Sequence, residues 1–228
     1  MVQTETVSFS SGNLQLNGYL AYPEGEGPFP GVIVIHEIYG LNDNIRDIAR
    51  RFADEGYAAL AVDLFTSRSR AVCMARFMGQ IMFNPLNNGS IHHLKSALSY
   101  LAEQPRVDAN RVGAIGFCMG GSFVITWACT DDRLKAIAPF YGMNPRPLSA
   151  VQRLCPVVGS YPEQDFTRSH GQRLAVALDE YHVPHDIKVY PNAKHSFFND
   201  QGGSYNAAAA QDSWQRILGY FQEHLGHS

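Results

Sequence analysis

A cysteine set between glycines is the strongest chemical signal in the sequence. The motif Gly116-Phe117-Cys118-Met119-Gly120-Gly121 follows an apolar run and opens an apolar stretch that suits a helix. A sharp strand-to-helix turn of this kind forces a nucleophile into a strained conformation, and the flanking glycines make room for it. The helix start supplies N–H groups and partial positive charge, which favour a thiolate and a developing oxyanion. The motif predicts a nucleophilic Cys118; the alternative is a buried structural cysteine at a tight turn.

A nucleophile needs a base and an acid that orients the base, and candidates for both follow later in the sequence. Asp165 lies in a polar loop after the apolar segment 156–160, and His195 follows the segment 185–190. Nucleophile, acid and base then occur in the order that α/β-hydrolases use, each after a predicted strand. Taken singly, Asp165 also fits a helix cap, and His195 is one of nine histidines. Glu163, in the same loop as Asp165, is a second candidate for the acid.

Alternating strands and helices are predicted to hold these residues at one edge of a sheet. Two short strands around the turn Ser11-Gly12-Asn13 form an antiparallel start, and the later strands have the apolar pattern of a buried parallel sheet. Helices between them imply layers on both faces, with the ligand site beyond the carboxyl ends of the strands. The predicted strands are 7–9, 14–22, 31–36, 57–62, 111–117, 134–141, 156–160 and 185–190. The predicted helices are 43–55, 90–103, 119–129, 166–181 and 206–224.

The segment 66–89 interrupts this alternation. It is longer than an ordinary connection and mixes arginines with methionine and phenylalanine. We expect it to form a lid or one wall of a pocket. Arg68, Arg70 and Arg76 could supply a cation to a substrate from here, with solvated surface charge as the alternative. The sequence does not assign this role to one of the three; Arg76 is carried forward as the candidate for contact with the substrate.

Size and composition are those of a globular α/β protein with a single domain, residues 1–228. Hydrophobic residues make up 45% and charged residues 17% of the chain, which provides enough apolar material for a large core. A formal net charge of −3 gives no basic field for nucleic acid. The N-terminus lacks a signal-peptide pattern, and no apolar stretch approaches the roughly 18 residues of a membrane span. We therefore expect a soluble, cytoplasmic protein, a monomer or small homo-oligomer, that acts on a small molecule.

Cysteine and histidine spacing does not suggest a disulfide framework or a metal site. The four cysteines are scattered and none forms a C-x-x-C pair, so free thiols in a reducing compartment are expected. His92 and His93 are adjacent and point to different sides of a helix, so they cannot form an i, i+4 metal pair. The sequence has no phosphate-binding G-x-x-x-x-G-K loop. We expect neither a metal nor a cofactor.

With these motifs the sequence resembles the dienelactone hydrolase family over about residues 7–225. The resemblance is carried by His36-Glu37-Ile38-Tyr39-Gly40 after a predicted strand, by the Cys118 turn, by Asp165 and by His195-Ser196-Phe197. It implies an α/β-hydrolase fold in which the cysteine attacks a lactone or ester carbonyl. It further implies that His195 shuttles the proton and that Asp165 fixes the imidazole.

The resemblance also assigns roles around the nucleophile. It implies an oxyanion hole formed by the backbone N–H groups of Met119 and Ile38. It implies that Glu37 holds the resting thiol and releases it when an anionic substrate arrives; a structural carboxylate paired with an arginine is the alternative. Because a carboxylate near a thiol raises the thiol pKa, the resting Cys118 should then be neutral.

One departure from the family concerns the substrate. Founding members carry a basic residue shortly after the catalytic histidine, whereas positions 196–200 here are Ser, Phe, Phe, Asn and Asp. The resemblance therefore does not identify the substrate, and the paired phenylalanines favour a more apolar pocket. Tyr39 and Phe197 are, with Arg76, the candidates for contact with it.

The predicted function is hydrolysis of a small lactone or activated ester through a thioester acyl-enzyme. A thiol nucleophile suits substrates with good leaving groups, since its tetrahedral adduct expels the thiolate more readily than a poor alkoxide or an amine. A general carboxylesterase or thioesterase for apolar acyl groups is the alternative. A redox-sensing or binding protein that uses an exposed Cys118 is a third hypothesis.

Overall fold

The computed structural model describes residues 1–66 and 86–226 of the chain. Within them, one sheet contains the strands β1 (Gln3–Ser11), β2 (Leu14–Tyr22), β3 (Phe29–Ile35), β4 (Ala58–Asp63), β5 (Val107–Phe117), β6 (Leu134–Phe140), β7 (Val157–Gln164) and β8 (His185–Lys194). The helices of the same residues are α1 (Asp43–Asp54), α2 (Gly89–Ala102), α3 (Met119–Ala128), α4 (Arg168–Glu180) and α5 (Ala207–Leu225). A short 3-10 helix at Leu148–Arg153 precedes β7.

The sheet has the order β1-β2-β4-β3-β5-β6-β7-β8. β1 and β2 form an antiparallel hairpin and β2 runs antiparallel to β4, whereas all neighbouring pairs from β4 to β8 are parallel. Parallel strands end at the same edge of a sheet, so the loops after β3, β5, β7 and β8 meet at one edge. These loops carry Glu37, Cys118, Asp165 and His195 in that order. The arrangement confirms the predicted fold class.

Helices cover both faces of the sheet. α2, α3 and α4 pack on one face, and α1 and α5 pack on the other. In α5 the buried Trp214, Ile217 and Phe221 recur at a spacing of three and four residues, which forms the apolar stripe of a surface helix. Burial of side chains of this size contributes about 1.5–3 kcal/mol each. α3 differs, because all of its residues are buried, and the helix behind Cys118 is therefore enclosed by the rest of the fold.

The observed elements differ from the predicted ones mainly at their ends. β2 has the predicted bounds, whereas β7 and β8 each continue four residues beyond their predicted ends at 160 and 190. The added residues include polar side chains, which an apolar pattern does not detect. Most of the predicted lid at 66–89, with Arg68, Arg70 and Arg76, lies outside the described residues. No helix in the part of the chain that the structure describes is both long and apolar enough to cross a membrane.

Candidate active site

Cys118 occupies the sharp turn between β5 and α3. Its backbone has φ 56° and ψ −111°, outside the regions that residues with a side chain ordinarily adopt. The Cys118 amide donates to the Phe140 carbonyl at 3.1 Å, which ties the turn to the end of β6. The Ser122 amide donates to the Cys118 carbonyl at 3.1 Å and closes the first turn of α3. The strained backbone is thus held by its neighbours at the carboxyl edge of the sheet.

The glycines around Cys118 allow backbone segments to approach closely. A Cβ atom on Gly116 would lie 2.1 Å from the carbonyl oxygen of Gly120. A Cβ atom on Gly120 would lie 2.4 Å from the carbonyl oxygen of Ile35, at the end of β3. Any side chain at either position would displace backbone rather than a flexible group. The glycines of the motif are therefore needed for the close approach of backbone segments as well as for room around the nucleophile.

The register of the last two strands brings Asp165 and His195 together. Gln164 pairs with Lys194, so the residues that follow them lie side by side. The distance from His195 Nδ1 to Asp165 Oδ2 is 2.7 Å, and the Asp165 side chain is only 7% exposed. The buried Thr167 hydroxyl donates to the same carboxylate oxygen. A carboxylate bound to Nδ1–H orients the neutral ring and leaves Nε2 as its proton acceptor.

Glu163, the second candidate for the acid, has a different partner. Its Oε2 atom accepts a hydrogen bond from the backbone amide of Asn192 at 3.1 Å. Glu163 lies within β7 and Asn192 within β8, so this bond joins the two strands beside their irregular register. Of the two carboxylates in this region, Asp165 is the one that contacts the imidazole.

Two aromatic rings lie against the imidazole of His195. The Tyr141 ring is tilted, with its centroid 4.9 Å from that of the imidazole. The Phe166 ring stacks at 5.8 Å with an interplanar angle of 12°. Tyr141 is buried, whereas Phe166 is 65% exposed. An exposed apolar ring therefore lies over the proposed base.

The surroundings of Cys118 disfavour its thiolate. Burial, followed by the negative charges of Glu37 and Asp165, raises the pKa of the thiol to about 11. A hydrogen bond from the Met119 amide acts in the opposite direction and lowers the pKa. Burial and negative charge therefore outweigh the influence of the helix N-terminus. A pKa of about 11 leaves the side chain a neutral thiol at neutral pH.

Glu37 is a buried carboxylate held by neutral donors. It is 4% exposed and lies two residues after the end of β3. The Ser196 hydroxyl donates to Oε1 at 2.7 Å, and the Asn199 side-chain amide donates to Oε2 at 3.3 Å. No arginine forms an ion pair with this carboxylate within residues 1–66 and 86–226. Burial and the Glu37 charge raise the pKa of the neighbouring Tyr141 well above its ordinary value.

The remaining predicted site residues lie at different depths. Tyr39, in the loop after β3, is 51% exposed. Ile38 is partly buried, and its amide has no hydrogen-bond partner in the described part of the chain. Phe197 is fully buried and packs on Tyr190 with ring centroids 5.2 Å apart. Its ring belongs to the core, so contact with a substrate does not follow from its position. Arg76 lies outside the described residues.

Several residues that shape the site carry little local signal in the sequence. Ser196 and Asn199 contact Glu37 across 159 and 162 residues of chain. Tyr141 follows β6, a strand without a predicted catalytic residue, and its φ of 38° places it in the left-handed region. Thr167 is the exception, because its hydroxyl contacts a carboxylate only two residues before it in the sequence. That spacing in Asp165-Phe166-Thr167 could have indicated the contact.

The chain is similar in sequence and in structure to known proteins. A model of the dienelactone hydrolase family matches residues 16–225. A protein named carboxymethylenebutenolidase from Saccharolobus solfataricus is 32% identical, with 95% of this chain and 97% of the relative aligned. A protein of the same name from Synechocystis sp. is also 32% identical, with 98% of each chain aligned. Among solved structures, a dienelactone hydrolase-like promiscuous phosphotriesterase from metagenomic libraries superposes with a TM-score of 0.88, at 29% identity and 98% coverage of both chains.

Proposed function

The chain belongs to the dienelactone hydrolase family, and from that premise we propose that it hydrolyses a small lactone or activated ester at Cys118. Family membership makes it a hydrolase. The observation that carries the finer assignment is the 2.7 Å hydrogen bond between His195 and Asp165, at the same sheet edge as the Cys118 turn. Nucleophile, base and acid come from three loops that a parallel sheet gathers at its carboxyl edge.

The first half-reaction forms a thioester. Cys118 Sγ attacks the carbonyl carbon while His195 Nε2 accepts the thiol proton. The carbonyl π pair moves to oxygen, and the oxyanion accepts hydrogen bonds from the Met119 and Ile38 amides. The C–O bond then breaks, and the leaving alkoxide takes the proton from His195. Asp165 keeps the imidazole oriented and stabilises its protonated form.

The second half-reaction hydrolyses the thioester. His195 accepts a proton from water, the hydroxide adds to the thioester carbonyl, and the C–S bond breaks. The acid is released, and the thiolate of Cys118 regains its proton from the imidazolium. A tetrahedral adduct on sulfur expels thiolate more readily than an amine or a poor alkoxide. The nucleophile therefore favours lactones and activated esters over peptides.

The neutral resting thiol sets a condition on the first step. With a pKa of about 11, Cys118 loses its proton during attack rather than before it. In this scheme burial and the charge of Glu37 together keep the resting thiol protonated and so protect it from oxidation. A redox sensor needs the opposite, an accessible thiolate of low pKa. The environment of the thiol thus supports a hydrolase over a sensor.

A carboxylesterase or thioesterase for apolar acyl groups is the second candidate function. Phe166 and Tyr39, which lie next to the proposed base and the proposed oxyanion donor, are both exposed aromatic residues. The donors to Glu37, Ser196 and Asn199, are neutral. Rates on an anionic lactone, a neutral aryl ester and a thioester separate the two candidates. Preference for the anionic lactone supports the first, and preference for neutral apolar esters supports the second.

Trapping the acyl-enzyme tests the proposal directly. Mixing the protein with p-nitrophenyl acetate should release a burst of nitrophenolate and leave an acetyl group on Cys118, located by peptide mass spectrometry. Cys118→Ala should abolish the burst. Cys129→Ala, which changes a buried cysteine at the far end of α3, should retain it. Acetylation elsewhere with an unmodified Cys118 would contradict the assignment.

The proposal also covers the setting in which the protein works. We place it in the cytoplasm as a monomer or small homo-oligomer, with a small-molecule substrate and no nucleic-acid partner. The free cysteines Cys118, Cys129 and Cys155 suit a reducing compartment. Cell fractionation and sedimentation of the purified protein check the location and the oligomeric state.

A further inference from the structure

His36 is a fully buried histidine directly after β3, beside the loop that carries Glu37 and Ile38. Its Nδ1 atom is 2.5 Å from the backbone carbonyl oxygen of Glu37. Its Nε2 atom is 3.1 Å from the amide nitrogen of Leu64, directly after β4. A carbonyl oxygen only accepts a hydrogen bond and an amide only donates one. The ring is therefore the neutral tautomer with its proton on Nδ1.

The carboxylate of Asp63 does not alter this assignment. Its Oδ1 atom is 3.9 Å from His36 Nε2, beyond hydrogen-bond distance. The same oxygen accepts a hydrogen bond from the Phe65 amide at 2.9 Å. The Phe65 ring packs on the imidazole with centroids 4.8 Å apart. Contacts of both ring nitrogens and of the Phe65 ring thus hold the imidazole in place.

We propose that His36 is a positioning residue for the oxyanion hole, an inference that rests on the proposed function. The peptide bond between Glu37 and Ile38 is planar and trans, so the Ile38 N–H points opposite to the Glu37 carbonyl. By donating to that carbonyl, the His36 side chain sets the direction of the Ile38 N–H. The Gly40 amide donates to the same carbonyl at 3.3 Å. The His36 bond is the shorter of the two restraints.

The loop needs such a restraint because strand pairing does not reach it. β3 ends at Ile35, and among residues 1–66 and 86–226 no strand pairs with the backbone of Glu37 and Ile38 to fix its peptide planes. An oxyanion donor stabilises a transition state only if it is oriented before the charge develops. His36 connects this loop to the end of β4, which is held within the sheet. The orientation of the donor is thereby coupled to the sheet.

Two amide variants separate the two hydrogen bonds of the His36 ring. His36→Asn keeps a donor at the position of Nδ1 and loses the acceptor for Leu64. His36→Gln keeps an acceptor at the position of Nε2 and loses the donor to Glu37. Each variant removes one hydrogen bond, so their melting temperatures should fall similarly. Only His36→Gln removes the side-chain hydrogen bond that restrains the peptide carrying the Ile38 N–H, and the weaker Gly40 bond stays.

Three probes report on the oxyanion hole and on the thiol separately. p-Nitrophenyl acetate measures kcat. Trifluoroacetophenone forms a hemithioketal: the bond from Cys118 Sγ to the carbonyl carbon forms, the π pair moves to oxygen, and His195 takes the thiol proton. Its Ki therefore depends on the oxyanion hole. Iodoacetamide alkylates the same sulfur by displacing iodide and creates no oxyanion.

We expect His36→Gln to lower kcat about tenfold and to raise the Ki of trifluoroacetophenone about tenfold. This is less than the 10²–10³-fold effect of losing an oxyanion donor completely, because the Gly40 amide still restrains the loop. His36→Asn should recover most of this loss, and alkylation should stay within about twofold of wild type in both variants. Equal kcat and Ki in wild type and His36→Gln would overturn the role of His36 alone. Alkylation that falls in parallel with kcat, or equal losses in the two variants, would also overturn it. A wild-type protein that neither hydrolyses the ester nor binds the ketone would instead overturn the proposed function, and this inference with it.

Discussion

The reactivity of Cys118 results from competing influences on one thiol. Burial and the charges of Glu37 and Asp165 raise its pKa from 9.0 to about 11, against the Met119 amide. At neutral pH a thiol with this pKa holds about one hundredth of the thiolate of an ordinary cysteine. Cys129 and Cys155 have pKa values raised further, to about 12, by burial. Cys118 is thus the most readily ionised of the three described cysteines, although it is protected in the resting state.

Glu37→Gln should make Cys118 more reactive toward iodoacetamide. The variant removes the negative charge and keeps the shape, so the thiol pKa falls from about 11 without reaching its ordinary value, because burial is the larger cause. We expect alkylation about three- to tenfold faster at pH 8. The measurement is the pH dependence of alkylation, with the site identified by mass spectrometry. Glu180→Gln on the exposed part of α4 is the control, and superimposable curves for wild type and Glu37→Gln would leave Glu37 a structural carboxylate.

Asp165→Asn should lower kcat by about 10²–10⁴-fold, the usual contribution of a correctly oriented general base. The amide can present its own N–H to Nδ1 and so favour the wrong tautomer of His195. Glu163→Gln is the matched control, because its side-chain oxygen can still accept from the Asn192 amide. Steady-state kinetics of the two variants decide the assignment. A larger loss in Glu163→Gln would transfer the role of the acid to Glu163.

At the scale of elements, the close packing of α3 against the end of β3 requires a glycine at position 120. In Gly120→Ala the new Cβ would meet backbone atoms of Ile35 and His36 at 2.4 and 2.8 Å, so a strand has to move. We expect a loss of about 1–3 kcal/mol in the free energy of unfolding, measured in urea. Gly219→Ala in α5 is the control: its Cβ meets nothing within 4 Å, and it should stabilise the protein by about 0.5–1 kcal/mol. A Gly120→Ala variant as stable as wild type would show that the turn can relax.

The element pattern and the motifs could be predicted from the sequence because their causes are local. Apolar β-branched runs predict the parallel strands, and the glycines around Cys118 predict the turn. The pairing of Gln164 with Lys194 could not be predicted, since it depends on how two strands slide against each other during packing. The contacts of Ser196 and Asn199 with Glu37 likewise exist only after β3 and β8 reach the same edge. The catalytic roles of the triad stay a prediction until activity is measured.

At the scale of the whole molecule, buried thiols and phenols should make the fold sensitive to alkali. Burial raises the pKa of Cys129 from 9.0 to about 12, and that of Tyr57 from 10.0 to about 12. Groups whose pKa is raised by folding contribute full stability below their unfolded pKa, and that stability is lost as pH rises toward the folded pKa. The free energy of unfolding should therefore decrease above about pH 9. For Cys129 alone the loss at pH 10 is about 1 kcal/mol.

Cys129→Ala provides the check on this pH dependence. The variant loses packing at every pH, but its stability should decline less than that of wild type between pH 8 and 10, by the contribution of this one thiol. Urea unfolding at a series of pH values measures the difference. Parallel stability curves for the two proteins would exclude Cys129 as a source of the alkaline instability.

The loop after β8 links the position of the proposed base to the surroundings of Glu37, so the two cannot evolve independently. It carries His195, and through Ser196 and Asn199 it supplies two donors to Glu37. A substitution at Asn199 that introduces a charge for a new substrate also changes the field around Cys118, so its effect depends on the residue at position 37. Strong epistasis between these positions is the expected result, and variants with altered substrate range should arise by paired rather than single substitutions. A combinatorial library of positions 37, 196 and 199 would reveal that dependence as effects on hydrolytic activity that do not add up from the single substitutions.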